Sequence, residues 1–194
     1  MLAGAFGLFL GCKKVCDTDD LPRYPLTSSL RDWSAPYPKD AVLRFRNAST
    51  GYVRSYRVAN VENETPGIHS GVDPCPQHYR EYTSHVLERS DSTGGRENKS
   101  MRFDVFAATN TTRLQASFAI GSTSFELPFQ EIEDGTQTLP SATFAGRTYS
   151  AVLGRTSGGV AFSGGGVTIT AYLTKAEGLI RFEERGGTVW DRVL

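Results

Sequence analysis

From Val42 onward the apolar positions recur with a period of two. Leu43/Phe45, Met101/Phe103/Val105, Leu114/Ala116/Phe118/Ile120, Phe125/Leu127/Phe129, Tyr149/Ala151/Leu153 and Val167/Ile169/Ala171/Leu173 each alternate with smaller or polar residues. Successive side chains of a strand point to opposite faces, so this pattern predicts strands with one buried and one solvated face. Between them stand turn formers: Ser49-Thr50-Gly51, Thr93-Gly94-Gly95, Gly121-Ser122, Asp134-Gly135, Gly164-Gly165-Gly166 and Gly186-Gly187. Short connections make successive strands antiparallel neighbours. No stretch has the periodicity of a long amphipathic helix, and the best helical candidate is a short turn near Arg31-Asp32-Trp33. The expected fold is all-β: an antiparallel meander curved into a barrel, half barrel or sandwich.

The first residues follow a different pattern. An uncharged apolar run from Leu2 to Gly11 stops at Cys12-Lys13-Lys14-Val15-Cys16. About 10 apolar residues are too few to span a bilayer as a helix, but they match the apolar core of a secretory signal. Phe9-Leu10-Gly11-Cys12 resembles the lipobox of bacterial lipoproteins, with Leu10 standing where a small residue is usual. The resemblance implies that the Cys12 thiol receives a diacylglycerol, that cleavage follows Gly11, and that acyl chains hold the protein on a membrane at about 0.8 kcal/mol per buried methylene. A signal normally opens with Lys or Arg, and Met1-Leu2-Ala3-Gly4 has neither, so the true start is expected upstream of Met1. Residues 12–40, polar and rich in proline, read as a flexible tether between the signal (1–11) and a single all-β domain (41–194).

The C-terminal run reads as three strands joined by two tight turns. Its Tyr172, Gly178-Leu179-Ile180-Arg181-Phe182 and Gly187-Thr188-Val189-Trp190 look like the closing segment of small Bacteroidota-type outer-membrane lipoproteins. That resemblance implies a bacterial envelope location, lipid-anchored on either face of the outer membrane. Curved antiparallel sheets of comparable order occur in periplasmic lipoprotein carriers and lipocalin-like barrels, which bind apolar ligands inside the curve.

Composition narrows the partners. Lys plus Arg equals Asp plus Glu at 21 each in 194 residues, so nothing recruits nucleic acid wholesale. Three cysteines are an awkward number for an exported chain. With Cys12 acylated, Cys16 and Cys75 remain as a pair that an oxidising compartment joins. The flanks Asp73-Pro74 and Pro76 place Cys75 in a turn, which favours that pairing over a free core thiol.

Candidate chemistry is sparse. His69, His78 and His85 fall close together, but their spacing suits no zinc motif and they read as loop and surface histidines. With its turn centred on Ser49, the Val42–Val58 hairpin places Arg44, Arg46, Tyr52, Arg54 and Tyr56 on one face and Leu43, Phe45 and Val53 on the other. Such a face suits an acidic or carbohydrate ligand. A slip of one residue in register dissolves it. Glu131, Glu133 and Asp134 read as a solvated acidic turn, and Thr156–Gly166 as a hairpin loop lacking phosphate-loop residues. Four Asn-x-Ser/Thr sequons read as by-products of turns rich in Ser and Thr.

These observations favour a non-enzymatic envelope lipoprotein that binds a small apolar or carbohydrate ligand or an envelope protein. They assign no catalytic residue, metal or cofactor. The competing expectations are an envelope enzyme with dispersed catalytic residues and a structural subunit of an outer-membrane assembly.

Overall fold

The computed structural model describes residues 16–91, 99–109, 116–157 and 168–193. The signal, Cys12 and most of the glycine-rich loop lie outside the described residues. In chain order the elements are β1 (Arg23–Tyr24), α1 (Ser28–Asp32), β2 (Val42–Asn47), β3 (Val53–Glu64), β4 (Gly67–His69), β5 (Pro76–Arg80), β6 (Tyr82–Arg89) and β7 (Ser100–Phe106). They continue with β8 (Ala116–Ile120), β9 (Thr123–Leu127), α2 (Phe129–Glu133), β10 (Ala142–Phe144), β11 (Arg147–Tyr149), β12 (Leu153–Thr156), β13 (Thr168–Thr174), β14 (Gly178–Glu184) and β15 (Thr188–Val193).

Among the described residues, ten strands form one antiparallel sheet in the order β12-β13-β14-β15-β2-β3-β6-β7-β8-β9. Read as a ring, this is chain order throughout, with β15 closing onto β2 through Trp190↔Asn47 to Val193↔Arg44. The sheet is nearly closed into a barrel, and the seam lies between β9 and β12, which approach without pairing. This is the predicted meander.

The alternation decides what fills it. Leu43, Phe45, Tyr56, Phe103, Val105, Ala116, Phe118, Ile120, Phe182 and Trp190 are buried together. The aromatic rings interlock: Phe45 meets Tyr56 at 6.1 Å and Phe182 at 5.3 Å, and Phe103 meets Phe118 at 6.0 Å. Two predicted strands end earlier than their pattern suggests. Phe129 belongs to α2, and Ala151, at φ 51°, breaks Tyr149 away from Leu153.

Residues 16–40 correct the expected tether. Thr27 accepts at Oγ1 from the Leu30 amide (3.3 Å) and starts α1, which ends before Pro36 and Pro38. Leu26, Leu30, Trp33 and Tyr37 are all buried in the barrel core. Trp33 stacks on Phe129 at 4.3 Å, and the Tyr37 hydroxyl accepts from the Leu179 amide at 2.7 Å. Tyr37 sits so close to Gly178 (φ 70°) that a Cβ there would lie 2.5 Å from the phenol ring, so this glycine is required twice over. The apolar residues between the prolines therefore behave as a plug for one barrel end, and a proline-rich composition alone does not make a linker.

A satellite sheet, β1-β5-β4, flanks this end. β1 pairs parallel with β5, and the Cys16–Cys75 disulfide ties the start of the described chain to the same hairpin. The pair implied by cysteine arithmetic is thus present.

Candidate functional site

The turn between β2 and β3 settles the predicted arginine face. Asn47 Oδ1 accepts from the amides of Ser49 and Thr50, both at 2.9 Å, and Gly51 adopts φ 73°. This Asx-type turn centres the loop between Ser49 and Thr50, not on Ser49, and pairs Arg44 with Ser55, Phe45 with Arg54 and Leu43 with Tyr56. The register differs by one from the expectation, which turns β3 over. Arg44 and Arg46 face out, while Arg54 and Tyr56 face into the barrel beside Phe45 and Leu43. The five residues do not share a face.

The inward residues complete an ionic network at the barrel mouth. Arg54 pairs with Glu184 at 2.6 Å and lies 3.8 Å over the Trp190 ring, whose Nε1–H donates to Glu184 at 3.0 Å. Asp91 accepts from Arg89 Nη2 (2.6 Å), the Tyr52 hydroxyl (2.7 Å) and the Ser55 amide (3.0 Å). Burial raises the Asp91 carboxyl, but these bonds outweigh it and hold it far below the usual carboxylate range. Burial pushes the Tyr56 phenol up to about 12, against the lowering pull of Arg54 and Arg89. Each charge here has its counter-charge, so the network fixes the mouth and leaves no group poised for a ligand.

The outward residues face a different structure. β10 and β11 form a hairpin whose tip, Ala145-Gly146, has φ 47° and 80°, the two positive values that a two-residue primed turn demands. In β14 the register passes from Tyr172↔Arg181 to Leu173↔Leu179, leaving Ile180 as the extra residue of a bulge. Ile180 packs with Tyr149 and Val152 in a second small core, joined by Ala142, Phe144 and Tyr172. The bulge thereby lays the hairpin along the outside of the barrel.

Between the hairpin and the outer edge of β2 and β15 runs an open groove of about 540 Å³, which Arg46, Phe144, Arg147, Tyr149, Asp191 and Arg192 help to line. That volume falls within the range of about 300–1,000 Å³ usual for small-molecule sites. Its walls are fixed by neighbouring contacts. Arg147 pairs with Glu177 at 2.7 Å and lies 4.8 Å over Tyr149; Arg192 donates to the Glu177 carbonyl; Arg181 lies 4.7 Å over Phe144. Asp191 is only 8% exposed, and burial lifts its carboxyl above the ordinary range; Arg181 Nη1 at 3.5 Å opposes the rise and Glu183 adds to it. Asp191 Oδ1 has no hydrogen-bond partner among the described residues. Arg46 is exposed, and among the described residues it makes no ion pair or side-chain hydrogen bond. The groove thus offers one uncommitted guanidinium between a rigid aromatic wall and a largely sealed carboxylate. Such a fork binds a planar oxyanion in bidentate fashion.

Of the five arginine and tyrosine residues singled out in the sequence, only Arg46 lines this groove. Phe144, Arg147, Tyr149, Asp191 and Arg192 have no sequence signal for it, because a hairpin's choice of which face to lie on is made by a bulge in another strand. The predicted acidic turn is exposed at Glu131, Glu133 and Asp134, but Glu133 is also paired. Glu133 accepts from Ser29, from Trp33 Nε1 (3.1 Å) and from Lys175 (3.2 Å), so it latches α1 to α2. Burial raises its carboxyl, and those three donors outweigh it and bring it below its usual range. His85 is buried, bonded through Nδ1 to the Tyr37 carbonyl at 2.8 Å and through Nε2 to Thr83 at 3.1 Å, while His78 meets Tyr24 edge-on at 5.4 Å. Among the described residues no three His, Cys, Asp or Glu side chains converge as a metal site. No protein-family model, no curated protein and no solved structure matches the chain.

Proposed function

We propose that this protein is a bacterial envelope lipoprotein, anchored in the outer membrane through Cys12, whose barrel is a non-enzymatic binding module for a small acidic or carbohydrate ligand. The observation that carries the binding site is the free Arg46 guanidinium in a groove whose other walls are held by their own contacts. Preformed walls confine the ordering cost of binding to the Arg46 side chain. The aromatic filling of the barrel favours this outer groove over the curve interior, where an apolar ligand was expected. The anchor reading rests on the lipobox-like Phe9-Leu10-Gly11-Cys12 and on the disulfide, which engages Cys16 and Cys75 and leaves Cys12 as the odd thiol.

Titration calorimetry with a trimer of galacturonic acid, a saccharide that carries carboxylates, tests the site. Wild-type protein is expected to bind it, Arg46→Ala to weaken binding about tenfold or more, and Arg57→Ala, whose side chain pairs with Asp40 elsewhere, to leave it unchanged. Equal affinity in wild type and Arg46→Ala overturns the site. Radioactive palmitate labelling of wild type against Cys12→Ala tests the anchor, and equal label in both overturns it.

A further inference from the structure

The disulfide fixes more than the N-terminal plug. Cys16 is bonded to Cys75, the last residue of the loop that joins β4 to β5. Only Lys13, Lys14 and Val15 separate Cys16 from Cys12. Four residue steps extend to about 14 Å at most. An acyl chain on Cys12 therefore cannot let the barrel float at the end of a long tether: with the 5.4 Å between the Cα atoms of Cys16 and Cys75 added, Cys75 must lie within about 20 Å of the lipid-bearing residue.

The hairpin has the surface that such a placement requires. Its tip, Ser70-Gly71-Val72-Asp73-Pro74, is solvent-exposed throughout. Val72, three residues from Cys75, is 102% exposed, far beyond the other exposed large apolar residues, Val42 at 44% and Tyr52 at 38%. One Val contributes no more than about 1.5 kcal/mol on burial, so it orients the protein and does not drive binding. Lys13 and Lys14 lie between the acyl site and the disulfide, where each lysine adds about 1 kcal/mol near an anionic lipid surface.

Resting on the Cys12 anchor proposed above, we infer that the β4–β5 hairpin is the membrane-facing edge of the barrel, its Val72 tip lying in the headgroup layer of the lipid surface. The occupant of this edge is the bilayer itself, because the short chain from Cys12 to the disulfide brings the acyl chains to this hairpin. A consequence concerns the groove. β3 runs from the Ser49–Gly51 turn to the β4–β5 excursion, and its twelve residues span about 36 Å. The groove reaches Asn47, Ala48 and Gly51, at the opposite end of β3 from the hairpin. This end of the groove is thus held away from the bilayer.

Fluorescence quenching by brominated lipid tests the orientation on full-length, processed protein in phosphatidylethanolamine–phosphatidylglycerol vesicles. The native Trp33 and Trp190 are buried, at 2% and 3% exposure, and give a quiet background. Val72→Trp is expected to lose emission and shift to the blue on bromolipid vesicles, whereas Thr50→Trp, in the β2–β3 turn, keeps both its intensity and its wavelength. Adding Cys75→Ser to Val72→Trp frees the anchor segment, and the quenching falls. If protein with an acyl mass on Cys12 floats with the vesicles while Val72→Trp is quenched no more than Thr50→Trp, the orientation is overturned and the anchor stands. If intact mass shows no acyl group on Cys12, the anchor reading is overturned and this inference with it.

Discussion

Replacing Trp33 by alanine separates a plug from a tether more sharply than any other single change. A residue in a solvated tether tolerates alanine with no measurable effect, within about 0.5 kcal/mol. Trp33 is 2% exposed and stacks on Phe129 at 4.3 Å, and its indole N–H donates to Glu133 at 3.1 Å. Truncating a buried Trp costs about 3–5 kcal/mol through lost transfer energy and the cavity left behind. The lost hydrogen bond adds little beyond this, because Glu133 keeps Ser29 and Lys175 as donors. With a urea m-value of about 2 kcal/mol/M, a loss of about 4 kcal/mol moves the midpoint down by about 2 M.

The chain has two tryptophans, so in Trp33→Ala the emission of Trp190, inside the barrel, reports unfolding alone. Trp33→Phe refines the measurement: it keeps an aromatic ring to pack on Phe129 but is smaller than indole and cannot donate, so an expected loss of about 1–2 kcal/mol comes mainly from the space left behind. A Trp33→Ala midpoint within error of wild type, at unchanged m, refutes the reasoning and returns residues 16–40 to the status of a tether.

The remaining predictions probe separate parts of the fold. Glu184→Ala strands Arg54 beside Trp190 and is expected to cost about 3–5 kcal/mol in urea unfolding, whereas Arg54→Met combined with Glu184→Leu costs less than Glu184→Ala alone. On acidification, burial keeps the folded-state pKa of His85 below its ordinary 6.5, so the stability gained from its neutral form is complete above pH 6.5 and is lost as pH falls through the lowered value; His85→Phe should remove this limb of a stability-versus-pH curve. At lower pH a second loss sets in as Glu133, held below its ordinary 4.5, takes up its proton, and Glu133→Gln should flatten that limb. Cys75→Ser opens a loop of 59 residues, for which the chain-entropy model gives about 4 kcal/mol; calorimetry should show a lower Tm with the barrel still folded.

How much of this was legible in the sequence follows from which forces act locally. Strand alternation is set residue by residue, so Leu43/Phe45, Met101/Phe103/Val105 and Phe118/Ile120 point into the core as their pattern predicts. The chain-order meander follows from the short turns between them. The β2–β3 register was not legible, because it hangs on the Asn47 side chain capping two amides, which moves the turn centre by half a residue and turns over the whole of β3. The plug was hidden by composition: prolines at 22, 25, 36 and 38 suggest an extended linker, yet Leu26, Leu30, Trp33 and Tyr37 between them are all buried. The groove was the least legible element, since Asp191 and Arg46 become neighbours only when the last strand closes on β2, and the hairpin that walls them in is placed by the bulge at Ile180.

The central claim, that ligand sits in the outer groove and not inside the barrel, is tested most directly by amide NMR of the ¹⁵N-labelled protein titrated with the galacturonic acid trimer. The account predicts shift changes that saturate and cluster at Arg46, Phe144, Arg147, Tyr149 and Asp191, with Phe103 and Phe118 unmoved. Changes confined to the inward-facing positions of β7 and β8, with the groove silent, would contradict it.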